Sequence, residues 1–228
     1  MADETQQTNQ EQDVQERTEE ALTPIDRLRH LYEENIQTVN YAFGAVALVI
    51  VGVVVYNSVW MPRRNAEAQE QLLAAQYYFE RDSFQMVLTS GVEDVASSYG
   101  RTAAGNLARY YAGVSHYHLG AYDAAIDHLS TFKTDDPVIE PVALGVLGDA
   151  YAESGDMDKA MSQYMKAVRA SDNDASTPVL LLKAGMAHES QGDLSGALEL
   201  YERIRDDYPD SPQAFEVAKY VARVEAQL

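Results

Sequence analysis

Three short stretches of this chain follow one pattern: LGAYDAA at residues 119–125, SGDMDKA at 154–160 and QGDLSGA at 191–197. In each stretch the second residue is a glycine and the last is an alanine. Seven residues before the glycine of each stretch stands another glycine, which gives a second series made of Gly113, Gly148 and Gly185. The members of this series are 35 and 37 residues apart, so the pattern indicates a repeated structural unit.

The unit has the length and spacing of the tetratricopeptide repeat (TPR), a helix-turn-helix of about 34 residues. The first glycine of each pair falls where the two helices touch, and the second falls at the turn between them, where a left-handed or tight backbone is needed. Four residues after each alanine comes a large packing residue, namely Leu129, Tyr164 or Tyr201. Each unit ends near a proline, where a helix cannot continue: Pro137, Pro178, which is displaced from the pattern, and Pro209.

Agreement at several positions in three units predicts an all-α fold, a TPR superhelix with three clear repeats. One degenerate repeat precedes them, with Ala75 and Tyr78 on its first helix and ERDSFQMVL at residues 80–88 as its turn and second helix. Residues 211–228 are predicted to form a C-terminal capping helix that covers the open end of the stack. Its apolar positions are Phe215, Val217, Ala218, Val221 and Val224.

Stacked repeats build a superhelix whose first helices line a concave groove. By the register of the repeat, the residues predicted to face this groove are Tyr110, Val114, Tyr117, Gly145, Asp149, Ala152, Glu153, Leu182, Met186 and Glu189. The groove would be aromatic at one end and mildly acidic at the other, which suits an extended or helical peptide with apolar and basic character. The alternative is that some of these side chains pack on neighbouring helices instead.

Three segments precede the repeats. Residues 1–22 are rich in Gln, Glu and Thr and are predicted to be a disordered acidic tail. Residues 23–40 are predicted to form an amphipathic lead-in helix. Residues 41–61 are predicted to be a transmembrane helix, because the uncharged run YAFGAVALVIVGVVVYNSVW would span about 30 Å at about 1.5 Å per residue. The TPR domain is assigned to residues 65–228.

The transmembrane segment is predicted to remain as a signal anchor, since its apolar run is longer and starts later than that of a cleavable signal peptide. Charge alone does not fix its orientation in the membrane. Arg27 and Arg29 before the span nearly balance Arg63 and Arg64 after it.

Composition excludes several functions. The formal charge of −19, from 36 acidic and 17 basic side chains, disfavours nucleic-acid binding. The absence of cysteine excludes disulfides, thiolate metal sites and a cysteine nucleophile.

His116 and His118 stand about 200° apart around a helix and so cannot share one metal ion. The sequence therefore predicts no enzyme, cofactor, metal site or small-molecule substrate, and it favours other proteins as partners.

The arrangement resembles a bacterial family of membrane-anchored TPR proteins, the YfgM-like ancillary subunits of the Sec translocon, most closely its Bacteroidetes-type members. The resemblance runs from Glu34 and Asn35 to the C-terminus and is strongest in YFERDSF, YGRTAAGNLARYYAG, ALGVLGDAYAESGDMDKA and LLKAGMAHESQGDLSGALELYERI. It implies a cytoplasmic N-terminus, one inner-membrane helix and a periplasmic TPR domain. It also implies contact with translocon subunits, periplasmic chaperones and secreted client chains.

Two other interpretations stay open at the level of sequence. The same architecture would serve as a scaffold of another envelope complex, for cell division, motility or secretion, with a different set of partners. An enzyme or enzyme accessory would need a polar pocket with perturbed acids, and turnover that depends on His116 or Asp149 would reveal it.

Overall fold

The structure is a computed structural model that describes Arg29, Tyr32, Glu33, residues 35–170 and residues 172–228. The predicted tail, residues 1–22, lies outside the described residues, as does half of the predicted lead-in helix, residues 23–40. Where the structure describes the chain, its regular elements are helices. The chain divides into two compact units, the first ending at Trp60 and the second being Met61–Leu228.

The first unit contains one apolar helix, α1, at Ile36–Val55, followed by a π-helical turn at Tyr56–Trp60. α1 carries no charged residue and none of its side chains is buried. The ring of Tyr56 lies 5.2 Å from that of Trp60, so two aromatic groups gather in the turn. Of the helices that the structure describes, the one that includes α1 is long and apolar enough to cross a membrane by its length and composition.

The second unit is a succession of helices: α2 (Met61–Phe79), α3 (Phe84–Thr89), α4 (Val92–Ser98), α5 (Ala103–His118), α6 (Tyr122–Thr131), α7 (Ile139–Glu153), α8 (Met157–Ala170), α9 (Thr177–Ser190), α10 (Leu194–Asp207) and α11 (Pro212–Glu225). α5 packs on α6, α7 on α8 and α9 on α10, which gives three helical hairpins. Each hairpin packs on the next, and α2, α3 and α4 take the place of the degenerate repeat. The predicted all-α TPR superhelix is confirmed.

A small residue on the first helix faces a large one on the second in every hairpin. A methyl group placed on Gly148 would lie 2.5 Å from Cε1 of Tyr164, and one on Gly113 would lie 2.6 Å from Cγ of Leu129. Gly185 meets the ring of Tyr201 in the same way. The two helices of each hairpin can therefore approach closely only because these positions lack a side chain.

The turns between paired helices have the left-handed backbone that the glycine pattern predicted. Gly120, Gly155 and Gly192 have φ angles of 76°, 89° and 78°. The degenerate repeat has Asp82 at the equivalent position, with a φ of 52°. Aspartate is one of the few residues besides glycine that tolerates this conformation, so the turn survives without glycine.

The last helix, α11, covers the end of the stack as predicted, but with a different set of side chains. Val217, Val221 and Val224 are buried in the same apolar cluster as Tyr201. Phe215 is 80% exposed and Ala218 is exposed as well, which corrects the assignment of both to the packed face of this helix. The physical reason is helical geometry, because residue 215 lies about 200° from residue 217 around the axis.

Candidate protein-binding face

Two of the predicted groove residues on α5 are packed against other side chains: Tyr110 lies in an aromatic cluster, and Val114 lies in the core. The ring of Tyr110 lies 5.7 Å from that of Phe79 and 5.3 Å from that of Phe132, between centroids. Burial raises the pKa of the Tyr110 hydroxyl. Val114 is only 6% exposed and packs with Leu129 and with a leucine of α7. Val114 is therefore a core residue, because the next hairpin covers it.

Tyr117, Asp149 and Glu153 come together between the first and second full repeats. Burial, and then the nearby carboxylates of Asp149 and Glu153, raise the pKa of the Tyr117 hydroxyl. Asp149 has only 14% of its side chain exposed. It accepts a hydrogen bond of 2.8 Å from Oη of Tyr164 and one of 2.7 Å from Nζ of Lys183. This predicted groove carboxylate is thus already bound within the chain, where it links α7 to α8 and α9.

Glu189 repeats this arrangement one unit later. Its Oε2 accepts hydrogen bonds of 3.0 Å from Oη of Tyr201 and 2.8 Å from the guanidinium of Arg223. Only 17% of the Glu189 side chain is exposed. Lys183 follows Asp149 by 34 residues, and Arg223 follows Glu189 by the same number. One type of polar link therefore joins the first helices of successive units.

Apolar side chains on these first helices remain open to solvent. Met186 on α9 is 48% exposed and Val142 on α7 is 45% exposed, while Leu182 is half-buried. Exposed apolar groups that share one face of a protein are typical of interaction surfaces, and methionine adapts readily to different partners. By the register of the repeat, Val142, Leu182 and Met186 stand on the groove side of α7 and α9, and we call these three residues the apolar face. Sequence reasoning missed Val142, although it lies three residues before Gly145 in the register of the repeat.

A shallow cavity of about 350 Å³ lies between α2 and α5. Its apolar lining includes Leu72, Leu73 and Leu107, and its polar lining includes Gln69 and Gln76. Leu73 is 63% exposed, so the cavity has an accessible apolar rim. The sequence assigned no binding residue to the degenerate repeat, because that repeat carries too little of the pattern to fix which residues face inward.

His116 and His128 share their surroundings, whereas His118 lies elsewhere. Nε2 of His116 lies 2.8 Å from Oε1 of Glu93, and Nε2 of His128 lies 3.5 Å from the same oxygen. His118 instead stacks on Phe84, with 4.1 Å between ring centroids. His116 and His118 thus point into different environments, as their spacing on the helix predicted. Among the described residues, Glu93, His116 and His128 are a group whose ligand atoms could reach one metal ion.

Residues 142–174 and residues 180–211 each match a family model of the tetratricopeptide repeat. A similar solved structure contains nearly identical TPR-like repeats of the kinesin light chain type from Podosopora anserina. It has a TM-score of 0.55 and 15% identity, and the match covers 70% of this chain and 86% of that one. A point variant of the same repeats has a TM-score of 0.54 and 14% identity, over 70% and 85%. The comparison with curated proteins gave no match.

The two matched segments are tetratricopeptide repeats, and the helical hairpins and the structural neighbours show that Met61–Leu228 has a TPR-like fold. Tetratricopeptide repeats typically act as scaffolds that bind other proteins, and protein binding is the role that the two matched repeats support. At 15% identity the likeness to solved structures concerns the fold alone.

Proposed function

We propose that this chain is a membrane-tethered TPR scaffold that associates with the Sec translocon and receives secreted chains on the periplasmic side. The observation that carries the binding role is the apolar face, where Val142 and Met186 are 45% and 48% exposed on the first helices of adjacent repeats. Membrane tethering is supported by the uncharged helix α1. The translocon and the periplasm are supported by the sequence resemblance described above.

The apolar face is better suited to a client segment with apolar side chains than to a charged one. Two of the three carboxylates predicted to attract basic groups, Asp149 and Glu189, are occupied by Lys183 and Arg223, and the third, Glu153, is exposed. A segment of unfolded secreted chain offers apolar side chains without a fixed structure, and flexible apolar surfaces can accommodate many such sequences. We therefore expect binding to depend more on apolar contact than on charge.

The test is affinity purification of the full chain from membranes in mild detergent. The variant Val142→Ser/Met186→Ser changes exposed side chains and leaves the core intact. The matched control is Phe215→Ser, which removes an equally apolar side chain that is 80% exposed on α11. We expect translocon subunits with all three proteins, and a several-fold loss of secreted clients with the double variant alone.

Two outcomes would contradict this proposal in different ways. Equal loss of clients from the control would show that the apolar face is not the binding site. If translocon subunits were absent and another envelope complex were enriched instead, the scaffold role would stand but the assignment to the translocon would be wrong.

Orientation can be measured directly because the chain has no cysteine of its own. Ser195→Cys places one thiol at an exposed position on α10, and Thr8→Cys places one before the apolar helix. We expect a membrane-impermeant maleimide to label the first variant in intact spheroplasts, and the second only after lysis. The opposite labelling would place the TPR domain in the cytoplasm.

A further inference from the structure

Three side chains from three helices meet outside the apolar face. Glu93 belongs to α4, His116 to α5 and His128 to α6. Their ligand atoms all lie within 4.8 Å of one another. The two imidazole rings are nearly parallel, with 8° between their planes and 5.6 Å between their centroids. Both rings direct Nε2 towards the same carboxylate oxygen, at 2.8 and 3.5 Å.

We propose that Glu93, His116 and His128 form a zinc-binding site. Two imidazoles and one carboxylate make a ligand set that zinc uses, and bonds of about 2.0–2.1 Å in tetrahedral geometry place ligand atoms about 3.4 Å apart. The two nitrogens lie 2.8 and 3.5 Å from the carboxylate oxygen, on either side of that value, and within 4.8 Å of each other. The fourth position opens to solvent beside Glu93, whose side chain is 52% exposed, and it is left for a water molecule.

Helix packing brings the two histidines together. Gly113 lets α6 approach α5 so closely that a methyl group on it would lie 3.2 Å from Cβ of His128. His116 follows Gly113 by three residues, which is nearly one helical turn. The His116 and His128 side chains are then only 13% and 22% exposed. The two imidazoles are thus partly shielded from water, and a bound cation could take the place of water as the partner of their nitrogen atoms.

The repeats of this chain provide an internal comparison. The positions of His116 and His128 are occupied by Tyr151 and Gln163 in the second full repeat, 35 residues further on. In the third repeat they are occupied by His188 and Leu200. The TPR hairpin therefore does not need histidine at either position, and the pair occurs together only where Glu93 can reach it. A zinc ion at this site would cross-link the degenerate repeat, through Glu93, to the first full repeat, through the two histidines.

The test is isothermal titration of the full chain with ZnCl₂, in detergent, after removal of metal and without a histidine tag. MgCl₂ serves as the control ion, because magnesium prefers oxygen ligands. We expect one zinc ion per wild-type chain and a higher thermal unfolding temperature with zinc, since a ligand that binds the folded state stabilises it. Co²⁺ in place of zinc should give the visible absorption of a four-coordinate ion.

His128→Gln introduces the residue of the second repeat and is expected to weaken zinc binding by roughly tenfold or more. Glu93→Gln gives a second test at an exposed position where folding is not at risk. His188→Gln is the matched control, because His188 has the same register and an acidic partner, Asp193 at 2.7 Å, but no second imidazole. Zinc binding should survive this change.

Three results would overturn the inference. The first is a wild-type protein that binds no zinc in the titration and whose thermal unfolding temperature does not change when zinc is added. The second is full binding by both His128→Gln and Glu93→Gln, which would place the metal elsewhere. The third is equal weakening by His188→Gln, which would indicate adventitious binding to histidines in general.

Discussion

At the scale of single residues, the repeat depends on a glycine that faces a ring or a leucine. Glycine inside a helix is less favourable than alanine by roughly 0.5–1 kcal/mol, and closer packing of the two helices offsets this cost where a methyl group would clash. Gly148 is such a place, since Tyr164 lies against it and its hydroxyl is held by Asp149 at 2.8 Å. The hydrogen bond fixes the ring, and the ring in turn requires the glycine.

Gly148→Ala is expected to lower the free energy of unfolding by about 1–3 kcal/mol, because the added methyl overpacks a site that cannot relax. The measurement is chemical denaturation of the full chain in detergent, followed by circular dichroism. The matched control is Gly145→Ala on the same helix, whose methyl would meet only Cδ2 of Leu180 at 3.2 Å. We expect a small loss or a gain for the control; equal losses would show that helix approach is not the reason for Gly148.

The hydroxyl of Tyr164 makes stability depend on pH in the alkaline range. Burial, the charge of Asp149 and the hydrogen bond to it raise the pKa of Tyr164 well above its ordinary value of 10.0. An acid whose pKa is raised by folding contributes stability below its unfolded pKa, and this contribution decreases as pH rises above that value. We expect the wild type to exceed Tyr164→Phe in stability by about 1 kcal/mol at neutral pH. That advantage should shrink above pH 10, and a difference independent of pH would contradict the assignment.

At the scale of elements, neighbouring repeats are joined by polar links as well as by apolar packing. Asp149 and Lys183 join α7 to α9, and Glu189 and Arg223 join α9 to α11. In both links the carboxylate is mostly buried and its cation is partly exposed. A pair in this setting is less screened than a surface pair, while the exposed end limits the cost of burying charge.

A double-mutant cycle with Asp149→Asn and Lys183→Met should give a coupling energy of about 1 kcal/mol, at the upper end for partly exposed pairs. The control cycle uses Glu216 and Lys219, which pair within α11 with about 60% of each side chain exposed. We expect about 0.3 kcal/mol or less there. Coupling no larger between Asp149 and Lys183 than in the control would mean that the repeats are held by apolar contacts alone.

At the scale of the whole molecule, a stack of repeats is stable only when its ends are covered. α11 covers one end with three buried valines, and the fully buried Tyr201 and Ile204 of α10 belong to the same apolar cluster. Without α11 these side chains would meet water. The contribution of this helix therefore extends to the repeat beneath it, because each repeat is stabilised by its neighbours.

Val217→Ala is expected to lower the thermal unfolding temperature, with a loss of about 2 kcal/mol from the buried methyl groups. Phe215→Ala removes a larger side chain from the same helix but should change stability by less than about 0.5 kcal/mol, since it is 80% exposed. Both are measured by thermal unfolding of the full chain in detergent. A larger loss of stability for Phe215→Ala than for Val217→Ala would mean that Phe215 lies on the packed face after all.

Much of this architecture follows from local pattern. The left-handed turns at Gly120, Gly155 and Gly192 and the close pairing of helices follow from residues a fixed distance apart in each repeat. Such features depend on backbone geometry within one hairpin, which sequence spacing fixes. The apolar helix α1 is equally local, because length and composition alone make it fit to span a bilayer.

The sequence by itself determined the TPR class, the number of repeats and the apolar helix, because each is set by residues close together in the chain. Only the tertiary structure decided that Val114 is core, that Asp149 and Glu189 are bound to cations 34 residues away, and that Phe215 faces solvent. It also decided that Glu93 meets His116 and His128 from another helix. The reason is that such contacts join separate helices, and their distances depend on how the hairpins pack rather than on spacing along the chain.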